Sequence, residues 1–281
     1  MSTVQLTKRI EFSASHRYHN EAWDEARNRE VFGPCNNPSG HGHNYLLEVT
    51  VQGRVGDESG MVVNLYDLKQ VLKRVLEEFD HKHLNLDTAY FQKTIPTTEN
   101  IAGVLWRVLS RRLEIGDLAR IRLFEDDDLY ADVTKSSGVE GGEIMQASLT
   151  RRYHFAAAHA LADAGASDAT QAGGSRYCHR SGLHGHNYVL SLTVGGEISL
   201  ETGMVIDLAT LDRLVHNRII RRFDYRNLND DPDLSTVGAT GANVVRLVWR
   251  ALAGSLTSGR LERVTLGETA DMAYEYEGPG R

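Results

Sequence analysis

The sequence predicts an α+β protein made of two tandem copies of one domain, each an antiparallel β-sheet with two helices on one face. Three observations support this prediction. A set of Cys, His, Trp and Glu residues recurs with a period of 143 positions in the 281-residue chain. Stretches of alternating apolar and polar residues are typical of half-buried strands, and two segments between them have apolar residues at helical spacing. A period this long indicates a duplicated domain rather than a solenoid repeat.

The repeated residues define the domain boundaries. Cys178 follows Cys35, and Glu268 follows Glu125, at the same interval of 143 positions. The interval also relates three pairs of histidines: His16 and His159, His41 and His184, and His43 and His186. We place copy 1 at residues 1–136, a Gly/Ser-rich linker at 137–145 and copy 2 at 146–281.

Within copy 1 the predicted order is β-β-α-α-β-β. Alternation predicts strands near Val4–Ala14 and Asn44–Gln52, and the first helix has an apolar series from Leu65 to Phe79. A second helix is predicted to begin at Thr97, because threonine caps free backbone amides. Arg120–Leu123 and Leu129–Val133 complete the unit as strands. The exposed edges of such sheets need pairing with neighbouring units.

Composition narrows the class of protein. The net charge of −7 argues against a nucleic-acid partner. We find no apolar stretch of signal-peptide or membrane-spanning length, so we expect a cytoplasmic protein without a membrane partner. The two cysteines occupy matching places in the two copies, which favours a reactive or ligating thiol over a disulfide.

The histidines predict a metal site in each copy. His41 and His43 lie two residues apart, so on a strand both point to the same face, and His16 ends another predicted strand. Zinc binds such nitrogen ligands, and three of them leave one position open, as in catalytic sites. His159, His184 and His186 predict a second site of the same kind.

Other residues are candidates for chemistry. The position of Cys35 in a Pro/Asn/Gly-rich loop beside the predicted metal favours a partly exposed thiol with a lowered pKa, which could act as a general base. A fourth metal ligand and a buried packing residue are the alternatives. Asp80 could orient His81 for proton transfer, although a helix end also favours a cationic histidine.

Copy 1 also holds candidates for substrate binding. Glu125 could accept two N–H bonds from a guanidine-like heterocycle, or could lie in a solvated acidic turn. Thr97, Thr98 and Glu99 are further candidates for substrate binding, with a helix cap as the alternative.

The combined motifs resemble those of the 6-pyruvoyl-tetrahydropterin synthase family. The segments that carry the resemblance are Phe12–His16, Cys35–Tyr45, Gly60–Val62, Asp80–Lys82 and Pro96–Asn100. It covers copy 1 and, more loosely, copy 2. The resemblance implies a tunnelling fold (T-fold), in which several units close their sheets into a barrel.

The resemblance also implies a reaction and a division of roles. It implies Zn²⁺ on His16, His41 and His43, with Glu125 as the pterin anchor. It implies proton transfer by Cys35 of one unit with the Asp80–His81 pair of a neighbouring unit. The implied reaction converts 7,8-dihydroneopterin triphosphate to 6-pyruvoyl-tetrahydropterin with loss of triphosphate. The implied assembly is a homo-oligomer, in which three chains would supply six units.

Copy 2 departs from this pattern. It keeps Asp224 and Glu268, and Cys178 lies six residues before His184 as Cys35 does before His41. Tyr225 replaces His81, however, and a phenol titrates near pH 10 rather than near neutrality. We expect a metal-binding copy 2 with weakened catalysis, which contributes to the barrel.

Two other functions are compatible with the sequence. One is 6-carboxytetrahydropterin synthase, an enzyme of deazapurine biosynthesis from the same family. The six-residue spacing of each cysteine from its His-x-His pair resembles that of the pyruvoyl enzymes, and this resemblance favours the pyruvoyl product. The other is a zinc- or pterin-binding scaffold without turnover, against which the intact set of candidates in copy 1 argues.

Overall fold

The computed structural model describes residues 3–112, 116–135, 145–161 and 182–280. The chain divides into two compact units. Unit 1 comprises Met1–Arg151 with Val194–Ala209, and unit 2 comprises Arg152–Thr193 with Thr210–Arg281. Of the predicted linker, residues 137–144 lie outside the described residues, and so does Cys178.

Unit 1 follows the predicted order of elements. In chain order it contains β1 (Val4–His16), α1 (Glu25–Phe32), β2 (His41–Gly53), α2 (Leu65–Leu76), β3 (Lys82–His83), α3 (Leu84–Asp87), α4 (Thr98–Leu109), β4 (Asp117–Asp126) and β5 (Leu129–Lys135). The predicted α+β class is confirmed. The elements α1, β3 and α3 were not predicted, because they are short and lack a long periodic pattern.

The sheet of unit 1 is mainly antiparallel. β1 pairs with β2, β2 with β4, and β4 with β5, all antiparallel, while β3 runs parallel to β1. Asn64 caps α2 by accepting a hydrogen bond from the N–H of Tyr66, and Thr97 caps α4 by accepting one from Asn100. The core between helices and sheet consists of fully buried side chains, including Tyr45, Leu47, Leu68, Phe79, Leu105 and Leu123.

Unit 2 repeats this architecture. Its elements are β6 (Met145–His159), β7 (His184–Gly196), α5 (Leu208–Val215), α6 (Arg221–Phe223), β8 (Arg226–Asn227), α7 (Gly241–Leu252), β9 (Arg260–Thr269) and β10 (Met272–Tyr276). β6 begins and β7 ends in unit 1. β7 lies between β6 and β9, β9 pairs antiparallel with β10, and β8 runs parallel to β6. Tyr188, Phe223 and Leu247 are buried in its core.

The helices of the described ranges are short. None of them combines the length and apolar composition that a membrane-crossing helix needs.

The packing of α4 generates a prediction about stability. Leu105 is fully buried in this helix, so Leu105→Ala should lower the free energy of unfolding by about 2–5 kcal/mol through lost contacts and an incompletely filled cavity. Arg107→Ala, on the exposed side of the same helix, should change it by less than about 0.5 kcal/mol. Urea-induced unfolding followed by circular dichroism measures both, and equal effects would contradict the packing described here.

Candidate active site

The antiparallel register of β1 and β2 brings three histidines of unit 1 together. His16 lies directly opposite His41, and His43 lies opposite Ala14, two residues along the same face. The Nε2 atoms of His16 and His41 are 3.2 Å apart. One nitrogen from each of the three rings lies within 4.8 Å of the others. The predicted triad is therefore present.

The protonation of His16 makes this cluster suitable for a cation. His16 Nδ1 lies 2.9 Å from the carbonyl oxygen of Pro96, which only accepts, so Nδ1 carries the proton and Nε2 presents a lone pair. Burial, and to a lesser extent the neighbouring rings of His41 and His43, lower the pKa of His16 to about 3. The Nε2 atom of His43 is buried without a hydrogen-bond partner among the described residues. Neutral imidazoles with converging lone pairs are the ligand set that zinc takes.

Glu125, on β4, faces the triad from inside the unit. It is buried, and its Oε2 accepts hydrogen bonds from the hydroxyls of Thr98 and Tyr18. Its Oε1 lies 3.6 Å from His43 Nε2. Because Glu125 is buried, the alternative of a solvated acidic turn is wrong. The two hydroxyls hold the carboxylate in one orientation with Oε1 directed towards His43.

Cys35 differs from the sequence-based prediction. It lies in a single 3₁₀ turn, Gly33–Asn36, and packs against a buried cluster that includes Tyr18, Phe32 and Met204. This burial, together with the carboxylate of Glu125, raises the pKa of the Cys35 thiol to about 11. The predicted lowered pKa is wrong for this environment, because apolar neighbours disfavour the charged thiolate.

Asp80 and His81 lie beyond the end of α2. Asp80 Oδ1 accepts a hydrogen bond from the N–H of Ser13 and lies 3.0 Å from His81 Nδ1. These contacts, with Ser13 first, lower the pKa of Asp80. His81 has a positive φ of 56°, and its N–H donates to the carbonyl of Ser13. Asp80 therefore holds the strained turn that presents His81, whose side chain is 82% exposed.

The start of α4 makes several side-chain hydrogen bonds. Thr97 caps the helix, and its hydroxyl also donates to the carbonyl of Gly203. Thr98 supports Glu125, as described above. Glu99 is buried, and its carboxylate accepts a hydrogen bond from the N–H of Val205. Thr97 is therefore a helix cap, which was the alternative to substrate binding. Each of the three side chains also makes a hydrogen bond outside the helix, to Gly203, Glu125 and Val205 respectively.

The partners of Thr97 and Glu99 belong to the segment Val194–Ala209, which is part of the second repeat in sequence but of unit 1 in the structure. Met204 in this segment is 5% exposed and joins the cluster with Tyr18 and Phe32. Its counterpart in copy 1, Met61, is 46% exposed. The Gly-Met motif of copy 2 therefore packs over the copy 1 site, whereas the same motif of copy 1 faces solvent.

Unit 2 contains the second triad. The Nε2 atoms of His159 and His184 are 3.1 Å apart, and His159 Nδ1 lies 2.8 Å from the carbonyl oxygen of Ala239. His186 completes the cluster, and burial lowers its pKa. The predicted triad is therefore present in unit 2 as well.

The turn after the α5–α6 region repeats that of Asp80 without its imidazole. Asp224 accepts a hydrogen bond from the N–H of Ala156, and Tyr225 has a positive φ of 54° with an exposed side chain. The backbone conformation of this turn is thus preserved in unit 2, although a phenol replaces the imidazole.

Three residues near the first triad were not predicted. Tyr18 and Tyr45 place their hydroxyls on Glu125 and His16 respectively. His83 lies beside Gly40, where an added Cβ would meet His83 Nε2 at 2.8 Å. The motif His81-Lys82-His83 offered a signal for His83, whereas an isolated tyrosine carries none.

The buried carboxylate of Glu99 makes stability depend on pH. Burial raises the pKa of Glu99 from 4.5 to about 7. Between these values Glu99 is protonated more in the folded chain than in the unfolded chain, so its contribution to the free energy of unfolding decreases as the pH rises. The lowered pKa of His16 acts in the opposite direction below pH 6.5, so the readout is the difference between the parent chain and Glu99→Gln, which should change by roughly 3 kcal/mol across this range.

The measurement is urea-induced unfolding at several values between pH 4.5 and pH 8. Glu58→Gln, on the exposed turn before α2, is the matched control, and its free energy of unfolding should have the same pH dependence as that of the parent chain. A Glu99→Gln variant with the pH dependence of the parent would contradict the assigned pKa.

Comparisons with known proteins agree with this geometry. A family model described as 6-pyruvoyl tetrahydropterin synthase matches residues 5–136 and again residues 148–279. Human 6-pyruvoyl tetrahydrobiopterin synthase is 42% identical over 126 residues, which are 44% of this chain and 87% of the human protein. An Archaeoglobus fulgidus protein named for 6-carboxy-5,6,7,8-tetrahydropterin synthase activity is 38% identical over 96 residues, covering 34% of this chain and 76% of its own length.

A solved structure, that of Caenorhabditis elegans 6-pyruvoyl tetrahydropterin synthase, is 37% identical with a TM-score of 0.43 and covers 45% of this chain and 91% of its own. Because the family model matches most of the sequence in two successive segments, this chain belongs to the 6-pyruvoyl tetrahydropterin synthase family and carries the family domain twice.

Proposed function

We propose that unit 1 converts 7,8-dihydroneopterin triphosphate to 6-pyruvoyl-tetrahydropterin with elimination of triphosphate, as a lyase. The observation that carries the proposal is the buried carboxylate of Glu125, held by two hydroxyls and facing the triad of His16, His41 and His43. The similarity to human 6-pyruvoyl tetrahydrobiopterin synthase supports the same activity. The reaction is an internal redox exchange, in which a side-chain proton moves to the pterin ring and no external oxidant is consumed.

Recognition of the pterin is assigned to Glu125. A pterin presents two N–H groups side by side, and a carboxylate accepts such a pair in a bidentate way. Because Tyr18 and Thr98 donate to Oε2, the carboxylate keeps its orientation without reorganising when the substrate binds. Thr97 and Glu99 contribute by fixing the segment around Val205 that borders the same region.

The triad of His16, His41 and His43 is assigned as the zinc site. Zinc bound there would polarise the side-chain oxygens of the substrate and acidify the adjacent C–H group. His16 supports this role because Pro96 fixes its tautomer and orientation.

Cys35, Asp80 and His81 are assigned to proton transfer. A thiol with a pKa of about 11 is neutral at pH 7, so Cys35 needs a nearby base or cation to ionise. The exposed position of His81 supports completion of the site by the Asp80–His81 pair of another chain copy. The proposed assembly contains three chains with six T-fold units, in the cytoplasm.

The triphosphate is assigned to a cavity of unit 1. Arg17, His19 and Lys93 line it, and Glu21 is the one acidic residue among its described lining residues. His83 lines both this cavity and the adjoining one that contains His43, so it connects the phosphate region with the triad. In copy 2, Ala160 stands where copy 1 has Arg17, which supports weaker substrate binding there.

The decisive experiment incubates the zinc-loaded full chain with 7,8-dihydroneopterin triphosphate and identifies the product by mass spectrometry. The expected product is 6-pyruvoyl-tetrahydropterin with released triphosphate. A 6-carboxy product would favour the alternative supported by the Archaeoglobus fulgidus relative. Retained zinc without triphosphate release would favour a binding scaffold.

Removing the charge of Glu125 should weaken pterin recognition. We expect Glu125→Gln to lower kcat/KM by about 10- to 100-fold, because a hydrogen bond to a charged group contributes about 1.5–3 kcal/mol. Glu11→Gln, at an exposed position of β1, is the matched control and should leave kcat/KM unchanged. Equal activities of the two variants would contradict the role of Glu125.

Removing the charge of Lys93 tests the phosphate cavity. Lys93→Ala should raise KM about three- to tenfold with little change in kcat, because the contact to the triphosphate is made equally in the ground and transition states. Lys69→Ala, at an exposed position of α2, is the control. An unchanged KM for Lys93→Ala would place the triphosphate elsewhere.

A further inference from the structure

The glutamate of unit 2 that corresponds to Glu125 has a different environment. Glu268 is also buried, with 3% of its surface exposed. The positions that supply hydroxyl donors to Glu125 carry Leu161 in place of Tyr18 and Gly241 in place of Thr98. The two side chains that orient the carboxylate in unit 1 are therefore missing from the corresponding positions in unit 2.

Without these donors, the carboxylate of Glu268 contacts the histidines instead. Its Oε1 lies 3.4 Å from His159 Nε2 and 3.2 Å from His186 Nε2. Its Oε2 is buried without a hydrogen-bond partner among the described residues. In unit 1 the corresponding distance, from Glu125 Oε1 to His43 Nε2, is 3.6 Å. A carboxylate oxygen thus lies against two nitrogens of the second triad.

The two distances from Glu268 Oε1, and the 3.1 Å between His159 Nε2 and His184 Nε2, match the separation of neighbouring ligands in a tetrahedral metal site. Four nitrogen and oxygen ligands at 2.0–2.1 Å from zinc lie about 3.3 Å from one another. The Nδ1 atoms of His159 and His184 lie against the carbonyl oxygens of Ala239 and Gly182, which only accept hydrogen bonds. Nδ1 of each ring therefore carries the proton, and each Nε2 presents a lone pair to the other ring. A shared cation between the lone pairs and the carboxylate oxygen satisfies all of them.

The neighbouring space in unit 2 has also changed. A Cβ at Gly241 would overlap the ring of Tyr274, a residue of β10. Copy 1 has Thr98 and Ala131 at these two positions. The aromatic ring thus occupies the volume into which the threonine hydroxyl would project, and it prevents a simple return to the copy 1 arrangement.

We propose that Glu268 is the fourth protein ligand of a zinc ion held by His159, His184 and His186. Four protein ligands make a closed site, which is the pattern of structural zinc, whereas the Tyr18 and Thr98 hydroxyls keep the site of unit 1 open for substrate. The inference rests on the zinc assignment proposed above. Its readouts measure metal rather than turnover, so the two proposals fail separately.

The experiment compares metal affinity at each site in the full chain. His41→Ala removes a ligand of the first triad and isolates the site of unit 2, and His184→Ala isolates that of unit 1. In the first background, Glu268→Gln should lower zinc affinity by about tenfold or more in competition with a chelator. In the second, the matched Glu125→Gln should change zinc affinity less than about threefold.

Cobalt(II) spectra provide a second readout. Thiocyanate should alter the absorption of cobalt in unit 1, where the open position accepts an anion, and should leave cobalt in unit 2 unchanged until Glu268 is replaced. Unchanged affinity after Glu268→Gln, a thiocyanate response in both units, or absence of metal from unit 2 would each overturn the proposal.

A restoring variant addresses the case in which Glu268→Gln fails to fold, as judged by circular dichroism. The combination Leu161→Tyr, Gly241→Thr and Tyr274→Ala introduces the copy 1 side chains around an intact Glu268. It should reduce the zinc affinity of unit 2 towards that of unit 1 and produce the thiocyanate response. Retention of the parent affinity without that response would likewise overturn the proposal.

Discussion

The pairing of the first two strands of each repeat brings the histidines of this protein together. In unit 1 the register sets His16 opposite His41, and every other feature of the site is built around that contact. A one-residue slip would move the histidines of one strand to the other face. The backbone carbonyls of Pro96 and Ala239 then fix the tautomers of His16 and His159, so that their lone pairs converge with those of the neighbouring rings.

The environment of one carboxylate separates the two units. Glu125 accepts hydrogen bonds from the hydroxyls of Tyr18 and Thr98, which fix the orientation of its carboxylate. Glu268 has neither of these donors, and its carboxylate contacts His159 and His186. A buried carboxylate needs a partner, since an unpaired charge in the interior is costly. Under the roles proposed above, the loss of two hydroxyls converts a substrate-binding carboxylate into a metal ligand without any change in the histidines. The histidine triad is present in both units, whereas the two hydroxyl donors and the imidazole of His81 are present only in unit 1.

Much of the fold and the site was accessible from sequence patterns. The long strands and the two main helices have clear periodicity, and the His-x-His pair with an upstream histidine predicts the triads because strand geometry is regular. The pKa of Cys35 was predicted in the wrong direction, because its loop composition does not reveal the apolar cluster with Phe32 and Met204. Short elements such as α1 and isolated partners such as Tyr18 also lack a periodic signal.

The sequence by itself determined the duplication, the class of each unit and the residues that form both histidine triads, since these follow from spacing and local periodicity. Tertiary structure decided that, among the described residues, Glu125 and not Glu268 accepts hydrogen bonds from two hydroxyls. It also decided which of the two Gly-Met motifs is buried. Met204 and Met61 occupy equivalent places in the repeats, yet one is buried beside Tyr18 and the other is exposed. Contacts of this kind join residues that are more than a hundred positions apart, as Glu99 and Val205 are, and local sequence carries no information about them.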